Sequence, residues 1–304
     1  MRIWLIGIAV LGAAVATLLL LSLPQNTAYA IDQKDCLRCH GVADLTMRTS
    51  SGAEISLYVN KTGLDVSAHR YVDCTSCHTT KPHEVPTPLT KLSLAARCGT
   101  CHQYEYKLHL QSVHGQQLLQ GNQDVATCVD CHSPQVNPHS IVRVLEVNAP
   151  AYKKNISQTC GRCHDNPRLM SRYGILEKVY ESYMRSFHGK ATKLSQSSDI
   201  SQLDKATCTN CHGTHDIQNP ADPNAPVAGL ENLARTCEQC HPGAGVNFAD
   251  SFLGHKEATP ENFPVVHYAE RFFTFLTASV VALGVSLVLV ETGKWAISRR
   301  PKGK

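Results

Sequence analysis

Ala206-Thr207-Cys208-Thr209-Asn210-Cys211-His212-Gly213-Thr214-His215 is the stretch whose reading decides the rest of the chain. Its centre is C-x-x-C-H, and a further histidine follows three residues later. The same five-residue pattern occurs seven times: Cys36-Cys39-His40, Cys74-Cys77-His78, Cys98-Cys101-His102, Cys128-Cys131-His132, Cys160-Cys163-His164, Cys208-Cys211-His212 and Cys237-Cys240-His241. These seven motifs, numbered here first to seventh, use all 14 cysteines. C-x-x-C alone also suits a zinc ribbon, a redox dithiol or a disulfide, but none of these needs histidine directly after the second cysteine. Histidine is 16 of 304 residues. One such histidine by chance is therefore about one in 19, and seven from seven roughly one in 10⁹. C-x-x-C-H is the attachment sequence of c-type haem: the thiols add to the vinyl groups and the histidine becomes the proximal iron ligand. The expected cofactors are seven haem c groups.

Nine histidines remain after the seven proximal ones. A weak internal repeat places seven of them. Ser112-Val113-His114-Gly115 matches Ser186-Phe187-His188-Gly189, and Ala126-Thr127-Cys128 matches Ala206-Thr207-Cys208. Ser67-Ala68-His69 is a shorter version. The unit reads as a haem motif, a gap, S-x-H, a second motif and one more histidine. On this reading His69 and His83 belong to the first unit, His114 and His139 to the second, and His188 and His215 to the third. His255 falls in a final half-unit with a single motif. Seven haems need seven distal ligands, so these seven histidines are the expected set, with His109 and His267 spare. Methionine is scarce after residue 30, at Met47, Met170 and Met184. The irons are therefore expected to be bis-imidazole, of low potential and without an open position.

The ends of the chain read as targeting and anchoring. Arg2, the apolar run Ile3–Leu23, the break at Pro24 and Ala28-Tyr29-Ala30 make residues 1–30 a secretory signal peptide. A second apolar run, Phe272–Val290, has 19 residues without a charge, enough to cross a bilayer core as a helix. The basic residues Lys294, Arg299, Arg300, Lys302 and Lys304 follow it against the single Glu291, which orients that end to the cytoplasm. The expected organisation is a signal peptide at 1–30, a periplasmic heptahaem domain at 31–267, a transmembrane helix at 268–292 and a cytoplasmic basic tail at 293–304.

The exported part carries 22 Lys+Arg and 23 Asp+Glu, a net of −1, so the overall +4 belongs to the two ends. Haem propionates make the loaded domain more acidic, which argues against a nucleic-acid partner and allows a basic redox partner. Residues 31–267 contain no tryptophan and few phenylalanines. With about 34 residues per haem, the cofactors must supply most of the buried apolar surface. The fold class expected is mostly α with extensive irregular loops, a haem-packed core and one C-terminal transmembrane helix.

The chain resembles the multihaem c-type cytochromes with doubled C-x-x-C-H sites. Among these it is most similar to the membrane-anchored cytochrome c subunits of b- and c-type quinol oxidoreductase complexes of metal-reducing and sulfate-reducing bacteria. The resemblance rests on S-x-H-G, on Cys211-His212-Gly213-Thr214-His215, and on His267-Tyr268-Ala269-Glu270-Arg271-Phe272-Phe273 leading into the apolar run. It implies electron transfer between a membrane partner, a b-type cytochrome or other quinone-reactive subunit, and periplasmic redox proteins at the inner membrane in anaerobic respiration. The chain departs from quinol-oxidising cytochromes that carry an N-terminal anchor, and it lacks the multi-helix b-type domain fused to some relatives. A separate membrane subunit is therefore implied. Two other functions stay open on the residues: a multihaem reductase of nitrite, hydroxylamine or a sulfur oxyanion, and a filament-forming wire.

Overall fold

The computed structural model describes residues 32–49, 52–78, 90–194, 205–252 and 254–299. The signal segment, His83 and the basic residues from Arg300 onward lie outside these. The described chain is mostly helical, with a single antiparallel pair of short strands, β1 (Thr46–Arg48) and β2 (Glu54–Ser56). This agrees with the fold class expected from composition. The chain divides into two compact units, residues 1–65 with 71–86, and residues 66–70 with 87–304.

The first unit holds α1 (Gln33–His40), the β1–β2 hairpin, α2 (Lys61–Asp65) and α3 (Cys74–Cys77). Asp32 caps α1 by accepting from the Lys34 backbone N–H at 3.3 Å. The hairpin steers the chain back over α1: Val59 N donates to the His40 carbonyl at 2.7 Å.

The second unit is a succession of short helices. They are α4 (Lys91–Gly99), α5 (Gln103–Gln111), α6 (Val113–Leu119), α7 (Cys128–His132), α8 (Ile156–His164), α9 (Pro167–Met170), α10 (Val179–Arg185), α11 (Phe187–Leu194), α12 (Cys208–His212), α13 (Gly229–Glu238) and α14 (Val246–Asp250). Helices this short are marginal on their own, so something they pack against must stabilise them. The protein supplies little. Its buried residues are dominated by Ala95, Ala149, Ala225, Ala234 and Ala249 and by Ser67, Ser112 and Ser133. Leu118 is the one large aliphatic side chain with nearly no exposure among the described residues. Met170 is buried, as a packing residue.

The last element, α15, runs unbroken from Pro264 to Ser298, 35 residues. At about 1.5 Å per residue it is about 52 Å long, well over a hydrocarbon core of about 30 Å. Pro264 opens it at a position where no intrahelical donor is lost. Its apolar window has mean hydropathy 2.3 and is 0% buried, so the protein covers none of it. It is long and apolar enough to cross a membrane.

Candidate functional site

Each motif in the second unit forms a helix or the end of one, so its two cysteines and its histidine share one turn. Thr127 and Thr207 start two of these helices. The Thr127 N–H donates to Asp130 Oδ2 at 2.8 Å and the Thr207 N–H to Asn210 Oδ1 at 2.8 Å, closing capping boxes. This is why A-T-C repeats. A second repeat supports the fifth and seventh motifs and was missed in the sequence, although its signal is plain: Asn148-Ala149-Pro150 and Asn224-Ala225-Pro226. Asn155 Nδ2 donates to the carbonyls of Val147 and Ala149 at 2.9 and 2.8 Å, and Asn232 Nδ2 to those of Pro223 and Ala225 at 2.7 and 2.8 Å. Thr159 and Thr236, each just before the first cysteine, donate to the Pro150 and Pro226 carbonyls. The loop before each motif is thus pinned to the helix that carries it.

S-x-H-G is a corner between two helices. Ser112 Oγ accepts from Gly115 N at 3.1 Å and donates to the His109 carbonyl at 2.6 Å. Ser186 repeats both bonds, with Gly189 N at 3.2 Å and the Tyr183 carbonyl at 2.6 Å. The second helix begins so close to the last turn of the first that a Cβ on Gly115 would lie 1.9 Å from the His109 oxygen. On Gly189 it would lie 2.1 Å from the Tyr183 oxygen. The corner fixes the direction of the intervening histidine, His114 or His188. Ser67 acts similarly for His69, accepting from its N–H at 3.2 Å while donating to the Ile141 carbonyl at 3.1 Å.

These histidines face the proximal ones. His69 faces His102 with ring centroids 6.1 Å apart, His114 faces His164 at 6.1 Å, and His132 faces His215 at 6.1 Å. His188 faces His241 at 6.2 Å and His212 faces His255 at 6.2 Å. Every pair joins one motif histidine to one histidine of the expected distal set. The common distance is too long for ring contact. Two metal–nitrogen bonds of about 2 Å, plus about 1.1 Å from each nitrogen to its ring centre, give about 6.2 Å. The spacing fits one metal ion held between two opposed imidazoles.

Burial lowers the pKa of His69, His132, His164, His188, His212 and His255, and brings His114 down to about 4. For His69, His114, His132, His188 and His212 the facing imidazole adds to that effect. Neutral imidazole is the metal-binding form. Ser182 Oγ lies 3.0 Å from His255 Nδ1 and orients it. In the first unit the Leu57 carbonyl accepts from His40 Nδ1 at 2.8 Å, leaving Nε2 as the ligating atom, and the thiols of Cys36 and Cys74 adjoin.

Consecutive motifs of the second unit abut. Cys98 meets Cys128, and Lys91 Nζ bonds the Val125 carbonyl at 2.8 Å and lies 3.8 Å from Asp130. Helix α7 packs on α8, and Arg162 donates to the Asp130 carbonyl. Helix α8 packs on α12, with Cys160 against Cys208. Cys211 lies within electrostatic reach of Cys237 and Cys240. Phe248 stands 5.1 Å from the His241 ring and Phe252 stands 6.2 Å from His188, flanking the seventh site from both sides. Sequence reading gave neither a role.

His139 is held by its N–H donating to Asn137 Oδ1 at 2.9 Å. The two spare histidines differ. His109 has a buried Nε2 without a hydrogen-bond partner. His267, in the first turn of α15, has Nδ1 3.0 Å from the Ala258 carbonyl. Among the described residues no three His, Cys, Asp or Glu side chains converge as a metal site. Each facing pair therefore offers two ligands and no more. No known protein family, curated protein or solved structure matches the chain.

Proposed function

We propose that the chain is a heptahaem c-type cytochrome that carries electrons between a quinone-linked membrane partner and periplasmic redox proteins. The observation that carries this reading is the set of five opposed histidine pairs at 6.1–6.2 Å, each including a C-x-x-C-H histidine. Two trans imidazoles and no third protein ligand suit an iron whose other four positions are filled by a porphyrin. The adjacent cysteine pair suits thioether attachment. Haem so bound would supply one-electron chemistry.

The chain's own residues do the rest. The paired imidazoles occupy both axial positions, so at these five sites the protein leaves no position for a substrate. This favours electron transfer over the reductase reading. The third to seventh motifs adjoin in sequence order, a continuous line of sites ending at Cys237–His241 near the start of α15. That helix would hold the domain on the inner membrane, with the basic tail in the cytoplasm. One uncovered helix makes no quinone pocket, so a b-type cytochrome or other quinone-reactive subunit would supply it.

The test is the ferric spectrum of the purified, membrane-extracted protein beside its reduction by quinol. Wholly low-spin iron, reduced by quinol only in membranes that contain the partner, is expected. A stoichiometric high-spin haem that binds nitrite or hydroxylamine would favour the reductase.

A further inference from the structure

The five facing pairs fall into two classes, and chain direction divides them. His69, His114 and His188 lie upstream of the motifs they face, the third, fifth and seventh. His215 and His255 lie downstream of the motifs they face, the fourth and sixth. Ring orientation divides the same way. The upstream ligands meet their partners at interplanar angles of 47°, 62° and 41°, whereas the downstream ones lie nearly parallel, at 19° and 20°.

Backbone register gives the cause. Val113 N, inside one S-x-H, donates at 2.8 Å to the carbonyl of Ile217, two residues beyond His215. Ala68 N, inside another, donates at 2.7 Å to the carbonyl of Ile141, two residues beyond His139. Arg185, next to the third S-x-H, pairs with Glu257, two residues beyond His255. Each S-x-H is therefore clasped to a histidine segment much farther along the chain: 67–69 with 139–141, 112–114 with 215–217, 186–188 with 255–257. The sequence repeat had grouped His188 with His215 in one unit. The clasp instead pairs the segments of His188 and His255, and of His114 and His215.

Resting on the haem reading, we infer that the odd motifs from the third onward take their second axial ligand from upstream and the even ones from downstream. Two kinds of iron site then alternate along the line. His255 completes the sixth motif, although the seventh is its neighbour in sequence, and His188 completes the seventh. The inference also orders assembly. As the chain is exported from its N-terminus, the third, fifth and seventh motifs emerge with both axial histidines already outside. The fourth must wait for His215 and the sixth for His255, so late residues close early sites and tie the line into one cooperative structure.

The test uses full-length protein in which Cys237→Ala and Cys240→Ala remove the seventh attachment site. In that background His255→Ala should add one high-spin ferric iron and His188→Ala should add none. In the otherwise unaltered chain each single replacement should add one. The reverse pattern, with His188→Ala adding an iron and His255→Ala adding none in the background, would overturn the inference. If the background variant does not accumulate, electron paramagnetic resonance of single His→Met variants decides. Parallel imidazole planes give a rhombic low-spin signal and steeply twisted planes a strongly anisotropic one. H215M and H255M should each remove a rhombic signal, and H114M, whose pair is the most twisted, an anisotropic one. Loss from the opposite classes would contradict the inference. A wild-type protein carrying no haem would refute the proposed function instead.

Discussion

The line of short helices in residues 90–252 and the single helix Pro264–Ser298 are opposites. The first is built around buried alanines and serines, with scarcely any large apolar side chain to hold its helices together. The second is almost wholly apolar over its central stretch, and no part of the protein covers that window. One region lacks apolar matter and the other lacks an apolar environment. Each is physically incomplete until something outside the polypeptide supplies the missing half. A large flat cofactor does so for the first and a bilayer for the second. A helix needs length and hydropathy to suit a membrane, whereas a cofactor-packed region needs ligands at set spacings and almost no core of its own.

The contrast can be broken most severely by withholding the cofactor. Expressed where haem cannot be attached, residues 31–263 should show little helix by circular dichroism and no cooperative thermal transition. Residues 264–298 in detergent micelles should remain fully helical. A cooperative transition in the haem-free region would show that the protein has a sufficient core after all.

The next test separates the two halves. Ending the chain before Pro264 should release a water-soluble, fully haem-loaded domain that dithionite reduces and quinol-supplied membranes do not. Retention of that domain on membranes after a salt wash would mean that the helix is not the anchor.

Smaller changes sharpen the account within the helical region. Gly115→Ala and Gly189→Ala each push a methyl group into a carbonyl oxygen of the preceding helix. Each should cost about 3 kcal/mol by thermal unfolding and disturb the fifth or the seventh site respectively. Alanine at Ser112, by contrast, would merely loosen the same corner. Thr127→Ala and Thr207→Ala remove a cap and should each cost about 1 kcal/mol without changing haem content. A cost near zero would mean that these caps are redundant once the cysteines are tethered.

Legibility in the sequence follows the same division. The apolar helix and the seven motifs are local patterns, complete within 35 and five residues respectively, and were readable directly. The distal set was readable as a count, and the five members that face a motif histidine all belong to it; His83 lies outside the described residues. Which histidine faces which was not readable. His132 meets His215, and His188 meets His241, across gaps with no helical or strand period to carry the register. The S-x-H-G corner appeared as a repeated word. Its meaning depends on a glycine Cα lying against a carbonyl oxygen, which only coordinates reveal. The N-A-P loops carried a clear signal that went unused, because attention to the cysteines drew the eye away from the asparagines that hold them.

The central claim is that seven C-x-x-C-H motifs hold seven haems by thioether bonds. Intact mass spectrometry of the membrane-purified protein, with peptide mapping of each motif, tests it most directly. The account predicts a mass gain of seven haems and a modified cysteine pair at each of the seven motifs. Free thiols or disulfides at these positions in fully matured protein, or a gain of six haems or fewer, would contradict it.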